Sequence, residues 1–213
     1  HTQSSAASDV YKRQNLRALI RTPKGIQATQ LMTGLTPADI HILQRTIMRY
    51  RGELLFSKGL ILVEGMTEEQ IIPAMFQAYF KKSDFSLGIA CISVSGKQYH
   101  PFIKIALSFK IPVCIISDND GNTKNIVEKQ IEEIGKDLSL NISDHRLHCT
   151  FLSDGYDIER ELLFKTEIRE EINQAFIDME SVNEHQIQAK KAEIEALDNK
   201  KILDRMQTKK TKY

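Results

Sequence analysis

The chain has 213 residues, 41% hydrophobic and 27% charged, with a formal net charge of +1. That length and composition fit one globular domain with extensions, large enough to bury a real core. No apolar run reaches the roughly 18 residues of a membrane span, and no charged-then-apolar stretch reads as an export leader, so a cytoplasmic protein with no membrane partner is expected.

Residues 1–14 are Ser/Ala-rich without apolar periodicity, as in disordered chain. Within them Asp9–Gln14 (DVYKRQ) resembles a translated sequencing-library adapter and is set aside from the fold. On that reading the natural N-terminal portion is missing. A helix start is signalled at Thr36-Pro37-Ala38-Asp39, with Thr as N-cap, Pro in the first turn and an acid behind it. Ile40, Leu43, Ile47 and Met48 would give that helix its apolar face. Gly59–Val63 is a short apolar run behind a glycine and reads as a buried strand. Thr67–Phe80 follows with Ile71, Ile72, Met75, Phe76 and Tyr79 at helical spacing. The alternation then repeats: strand Ile89–Val94, helix Tyr99–Phe109, strand Ile111–Ile116, helix Asn122–Lys136 and strand Leu147–Leu152. Strands alternating with helices imply right-handed crossovers and a mainly parallel sheet flanked by helices, an α/β fold. From Ile158 onward the pattern is helical and ends in a charged, coiled-coil-like stretch around Gln186–Met206.

The near-neutral total conceals a partition. Asn15–Lys58 holds seven Lys/Arg against two acids and Lys200–Tyr213 six against one, so each flank carries a formal +5 and Gly59–Asn199 carries −10. Basic flanks suit a polyanionic partner and concentrated carboxylates suit divalent cations; solvated helix faces are the plainer reading of both. Cys91, Cys114 and Cys149 are far apart, each in an apolar stretch. This spacing excludes a CxxC metal or redox site and a disulfide framework, leaving buried small hydrophobes.

In a parallel sheet the side chains just after the strands collect at the carboxyl edge, where ligands bind. That rule selects Glu64 after the first strand, Gly96 after the second, and Asp118 with Asp120 after the third. Glu68 lies about one helical turn beyond Glu64, and Asp157 and Glu159 follow the next strand. Carboxylates so concentrated would need compensation, and a hard, oxygen-loving cation such as Mg²⁺ or Mn²⁺ is the usual one. Individually each acid also reads as a helix cap or turn residue.

Leu62-Val63-Glu64-Gly65-Met66-Thr67-Glu68-Glu69, Val94-Ser95-Gly96-Lys97 and Ser117-Asp118-Asn119-Asp120 together resemble the Toprim (Rossmann-like) catalytic domain of topoisomerases, primases and OLD-family nucleases. Arg51-Gly52-Glu53-Leu54-Leu55-Phe56 before it and Asp157-Ile158-Glu159 after it look most like the OLD (overcoming lysogenization defect) branch of ATP-dependent endonucleases, including the nuclease subunit of Gabija-type phage defence. The resemblance covers Arg51–Leu163. It implies metal-dependent phosphodiester hydrolysis of DNA at a two-metal site. Glu64 and Asp118 would bind one ion with Asp120 assisting, Glu68 and Glu159 the other; Asp157 stands where the family often has a small hydroxyl residue. A late lysine completes the site in that branch, and Lys210 is the positional match, with Lys209 and Lys212 as rivals. Arg49, Arg51 and Lys97 are candidate DNA-phosphate contacts. The resemblance further implies ATP bound only through a missing N-terminal ATPase domain, oligomerisation through that domain as a homodimer or higher, and in some members a helicase partner.

The expected organisation is 1–14 set aside, 15–58 a helical segment from the end of the ATPase domain, 59–165 the Toprim domain and 166–213 a C-terminal helical extension. Rival motifs fit less well. Asp118–Asn122 opens like an EF-hand loop, but Thr123 takes its glycine position and Lys129 its final glutamate. Ser95-Gly96-Lys97-Gln98 lacks the remaining residues of a P-loop. Asp118-Asn119-Asp120-Gly121 also resembles the loop of haloacid-dehalogenase phosphatases, which place it after their first strand, whereas two strands precede it here. Two alternatives therefore stand beside the nuclease: such a phosphatase, or a non-catalytic nucleic-acid-binding module of a larger complex.

Overall fold

A five-residue run, Gly59-Leu-Ile-Leu-Val63, sits at the centre of the architecture as strand β3, buried almost throughout. Apolar side chains on both faces of a strand leave it only an interior place in a sheet covered on both sides. The computed structural model describes residues 17–30, 36–38, 41, 53–138, 146–165, 167–181 and 183–210.

β3 pairs in parallel with β4 (Ile89–Ser93) on one side and β5 (Val113–Ser117) on the other, with Val63 opposite both Ser93 and Ile116. β6 (Leu147–Phe151) borders β5, where the Val113 N–H donates to the Arg146 carbonyl at 2.6 Å, and the sheet order is β4-β3-β5-β6. This is the mainly parallel sheet that the sequence predicts. Its strands β4, β5 and β6 begin and end within two residues of expectation. β5 starts later because Pro112 has no N–H for the ladder, although its carbonyl still accepts from Leu60 at 2.9 Å.

Three helices alternate with these strands, α2 (Met66–Phe80), α4 (His100–Ser108) and α5 (Thr123–Leu138), with the single turns α1 (Glu53–Phe56) before β3 and α3 (Asp84–Leu87) before β4. Ile72 and Phe76 of α2 pack on the sheet face made by Ile61, Val63, Cys91, Cys114 and Ile116. On the other face Leu60, Leu62, Ile92, Val113 and Ile115 are all buried, and α4 contacts both β5 and α5. The three cysteines are half-buried and free; burial pushes the thiols of Cys91 and Cys149 up to about 12, so they stay protonated.

One expectation fails near the start. Within 15–58, expected to be helical, residues 17–30 form an antiparallel hairpin of β1 (Arg17–Thr22) and β2 (Gly25–Gln30). Thr22-Pro23-Lys24-Gly25 explains it: proline presets one turn residue and Gly25 takes φ +116, which a side chain would oppose. Of the helix expected from Thr36, only residues 36–38 and 41 are described; Ile40, Leu43, Ile47 and Met48 lie outside the described residues.

The chain divides into two compact units, residues 1–117 with 122–150, and residues 118–121 with 151–213. The second contains α6 (Ile158–Lys165), α7 (Arg169–Glu180), α8 (Glu184–Glu195) and α9 (Asn199–Lys210) around Leu163, Phe176, Ile177, Ile194, Ile202 and Leu203. The coiled-coil-like stretch expected over Gln186–Met206 is therefore two helices, not one. Asp198 ends the continuity by capping α9, accepting from the Lys201 N–H at 2.8 Å, and the apolar residues beyond it fold into a local core. Glu180 anchors that packing. Its carboxylate accepts from Arg205 Nε at 3.1 Å and from Arg205 Nη2, and pairs with Lys209 at 3.2 Å and Lys190 at 3.5 Å. No helix among the described residues is long and apolar enough to cross a membrane.

Candidate active site

Glu64 is the first residue past β3 and is half-buried. Its backbone carbonyl gathers the neighbouring strand end, accepting from the Gly96 N–H at 2.9 Å and the Ser93 hydroxyl at 3.2 Å. Gly65 then serves as the N-cap of α2 in an extended conformation, φ −130 and ψ 179, with no side-chain cap. Glu68 falls in the first turn of α2, where the unpaired N–H groups favour an anion. It is only 3% exposed, and its Oε2 has no hydrogen-bond partner among the described residues. A Cβ at Gly65 would lie 2.8 Å from that oxygen, so the carboxylate rests directly over the bare backbone. At the end of the adjacent β5, the Ser117 hydroxyl is likewise buried without a partner among the described residues. Desolvating a carboxylate and leaving one oxygen unsatisfied costs several kcal/mol unless something compensates. A hard cation on that oxygen is such a compensation, and the Glu64/Glu68 donor set suits Mg²⁺ or Mn²⁺.

The expected carboxylates divide between the two units: Glu64 and Glu68 in the first, Asp118, Asp120, Asp157 and Glu159 in the second. Asp118 and Glu159 are buried, Asp120 half-buried. Among the described residues no three His, Cys, Asp or Glu side chains gather closely enough to hold a metal ion. Asp157 is engaged otherwise. Its Oδ1 accepts from the Arg160 N–H at 2.9 Å, capping α6, and its Oδ2 accepts from Gln207 Nε2 at 3.0 Å. Each oxygen thus accepts one hydrogen bond, which gives Asp157 a capping role and leaves each oxygen a further lone pair.

Of the basic residues, Lys97 donates from Nζ to the Thr123 hydroxyl at the start of α5. Arg49 and Arg51 lie outside the described residues, as does Lys212. Lys210 ends α9 and its side chain is not among those described; Lys209 is bound to Glu180.

Several supporting residues escape a sequence reading. Asn119 ties the Asp118–Gly121 loop to the segment after β6: its Nδ2 donates to the Leu152 carbonyl at 3.1 Å, its N–H to Tyr156 at 3.0 Å, and its carbonyl accepts from the Gly155 N–H at 2.9 Å. Ser93 and Thr123 hold the Ser95–Lys97 loop. Apart from the Ser93–Ser95 bond, two residues apart, their partners are distant in the chain, so no local pattern announces them.

Comparison with known proteins agrees with the motifs. Residues 55–120 match the family described as overcoming lysogenization defect protein-like, TOPRIM domain. No curated protein matches the chain. Among solved structures, the C-terminal region of the Xanthomonas campestris pv. campestris OLD protein is 21% identical with a TM-score of 0.49, covering 72% of this chain and 78% of that one. The C-terminal region of the Burkholderia pseudomallei OLD protein is 23% identical with a TM-score of 0.45, covering 70% and 80%. The matched residues 55–120 include β3, Glu64 and the Asp118–Asp120 loop, so it is this stretch of the chain that is similar to the OLD-like Toprim domain.

Proposed function

We propose that the chain is the nuclease portion of an OLD-family endonuclease and hydrolyses DNA phosphodiesters with divalent metal. The observation that carries this is Glu68, a buried carboxylate with a partnerless oxygen over bare Gly65, one turn from Glu64 at the carboxyl edge of the sheet. Glu64, Glu68, Asp118, Asp120 and Glu159 would hold Mg²⁺ or Mn²⁺, with Asp157, which also caps α6, beside them in that set. When bound, such ions activate water and stabilise the leaving oxygen in phosphodiester hydrolysis. The chain's own contribution would be to offer carboxylates from the strand ends and from the first turns of α2 and α6, and cationic side chains for the phosphate. Lys97 belongs to the latter, as do Arg49 and Arg51, and Lys210 is the candidate for offsetting charge as it develops on the phosphorus. ATP dependence, oligomerisation, a helicase partner, a cytoplasmic setting and a part in phage defence accompany the family reading as part of this proposal.

The test is incubation of the protein with supercoiled plasmid and Mg²⁺ or Mn²⁺, beside a Glu64→Ala/Asp118→Ala variant and an EDTA blank. Metal-dependent nicking by the wild type alone is expected. Equal DNA binding by both proteins with no cleavage by either would replace the nuclease with a binding module. Turnover of small phosphomonoesters that Asp118→Asn alone abolishes would replace it with a phosphatase.

A further inference from the structure

The loop from β4 to α4 carries Lys97 in an unusual backbone: Ser95 and Gly96 adopt φ of +58 and +121. Glycine takes such a φ freely, but for Ser95 it persists only where the surroundings over-determine it. One side of the loop is held by the sheet, through the Gly96 N–H on the Glu64 carbonyl (2.9 Å) and the Ser95 N–H on the Ser93 hydroxyl (3.1 Å). The other side is held by α5. The hydroxyl of the fully buried Thr123 accepts from Lys97 Nζ, and two helical turns on, Gln130 grips the backbone around the same lysine. Gln130 Nε2 donates to the Lys97 carbonyl at 2.7 Å while its Oε1 accepts from the His100 N–H at 2.9 Å. His100 opens α4, so this amide also satisfies a first-turn N–H that the helix itself cannot.

From this geometry we propose that Gln130 is a positioning residue: by clamping the Lys97 carbonyl and the His100 N–H together, it sets the path of the Gly96–Lys97 loop and so aims Lys97 at a nucleic-acid phosphate. The clamp rests on the reading of Lys97 as a phosphate contact. Glutamine suits the task because one amide supplies a donor and an acceptor side by side; methionine has its length but neither function.

Two measurements on the full chain test it. The first needs no DNA: hydrogen exchange followed by mass spectrometry on wild type and Gln130→Met. Faster exchange confined to residues 95–100 is expected, and unchanged exchange there would overturn the clamp. The second is the salt dependence of binding to a short fluorescein-labelled duplex for wild type, Lys97→Ala, Gln130→Met and the double variant. Losing one phosphate contact lowers the log–log salt slope by about one. Gln130→Met is expected to lower the slope as Lys97→Ala does, with an affinity loss of about tenfold, although it removes no charge. The double variant should lose no more than Lys97→Ala. General loss of fold would reduce the active fraction without changing the slope. A lowered slope in Lys97→Ala alone would overturn the clamp and leave the nucleic-acid reading intact; an unchanged slope in Lys97→Ala would overturn the phosphate contact and the clamp's purpose with it.

Discussion

Gly65→Ala separates geometry from charge at the proposed metal-binding carboxylates. The φ of −130 at Gly65 is open to alanine, so the backbone need not move. Alanine is a poorer N-cap than glycine but restricts the unfolded chain, and the two effects, each below about 1 kcal/mol, oppose one another. Stability should stay within about 1 kcal/mol of wild type. The new Cβ, however, would stand 2.8 Å from Glu68 Oε2, where ordinary contact begins at 3.4 Å, so the carboxylate must retreat by about 0.6 Å or rotate away. Displacements near 1 Å of a group that holds the reaction geometry cost on the order of 100-fold in rate. Plasmid nicking measured over a range of Mg²⁺ and Mn²⁺ should therefore show a loss of ten- to a hundredfold, on the order expected for such a displacement, with a higher metal requirement, while the thermal midpoint stays put. Glu68→Gln, which keeps the shape and removes the charge, should lose activity at least as fully. Wild-type nicking by Gly65→Ala, with its fold shown intact, would refute the role given to the Glu68 oxygen.

Two further outcomes concern the supports. The Arg205 and Lys209 cations beside Glu180 hold its carboxyl well below its ordinary 4.5, at about 2, so the charged form contributes stability that is complete above pH 4.5 and lost as pH falls through about 2. With its side chain 13% exposed, that contribution is at most about 3 kcal/mol. Glu180→Gln should lower the urea midpoint at neutral pH, and its difference from wild type should shrink between pH 4.5 and 2; a constant difference would show that packing, not charge, is what the substitution removes. Asn119→Ala leaves the Leu152 carbonyl without its amide donor, which should cost about 1–2 kcal/mol and speed amide exchange over residues 153–156 with a fall in nicking; unchanged exchange would remove Asn119 from the set that positions Asp118.

Much of the fold is legible in the residues themselves. Gly59–Val63, with apolar side chains on both faces, can only be an interior strand, and the alternation that follows it dictates a parallel sheet, because these signals are local. The same locality puts Glu64 and Asp118 immediately after strands. The β1–β2 hairpin is read less easily: Leu19 and Ile26 are 74% and 77% exposed, so these two apolar side chains do not mark a buried face by their alternation. The helix break at Asp198 hides in a continuously charged stretch for a similar reason. What the tertiary structure alone decides is which groups meet across the chain. The order β4-β3-β5-β6, the burial of Glu68 over Gly65, the Asn119–Leu152 and Gln130–Lys97 bonds, each spanning 33 residues, and the Arg205–Glu180 pair spanning 25 leave no periodic trace. Hydrophobic patterning records which face of an element is buried; hydrogen-bond partners are chosen by the packing of whole elements, after that burial has brought them together.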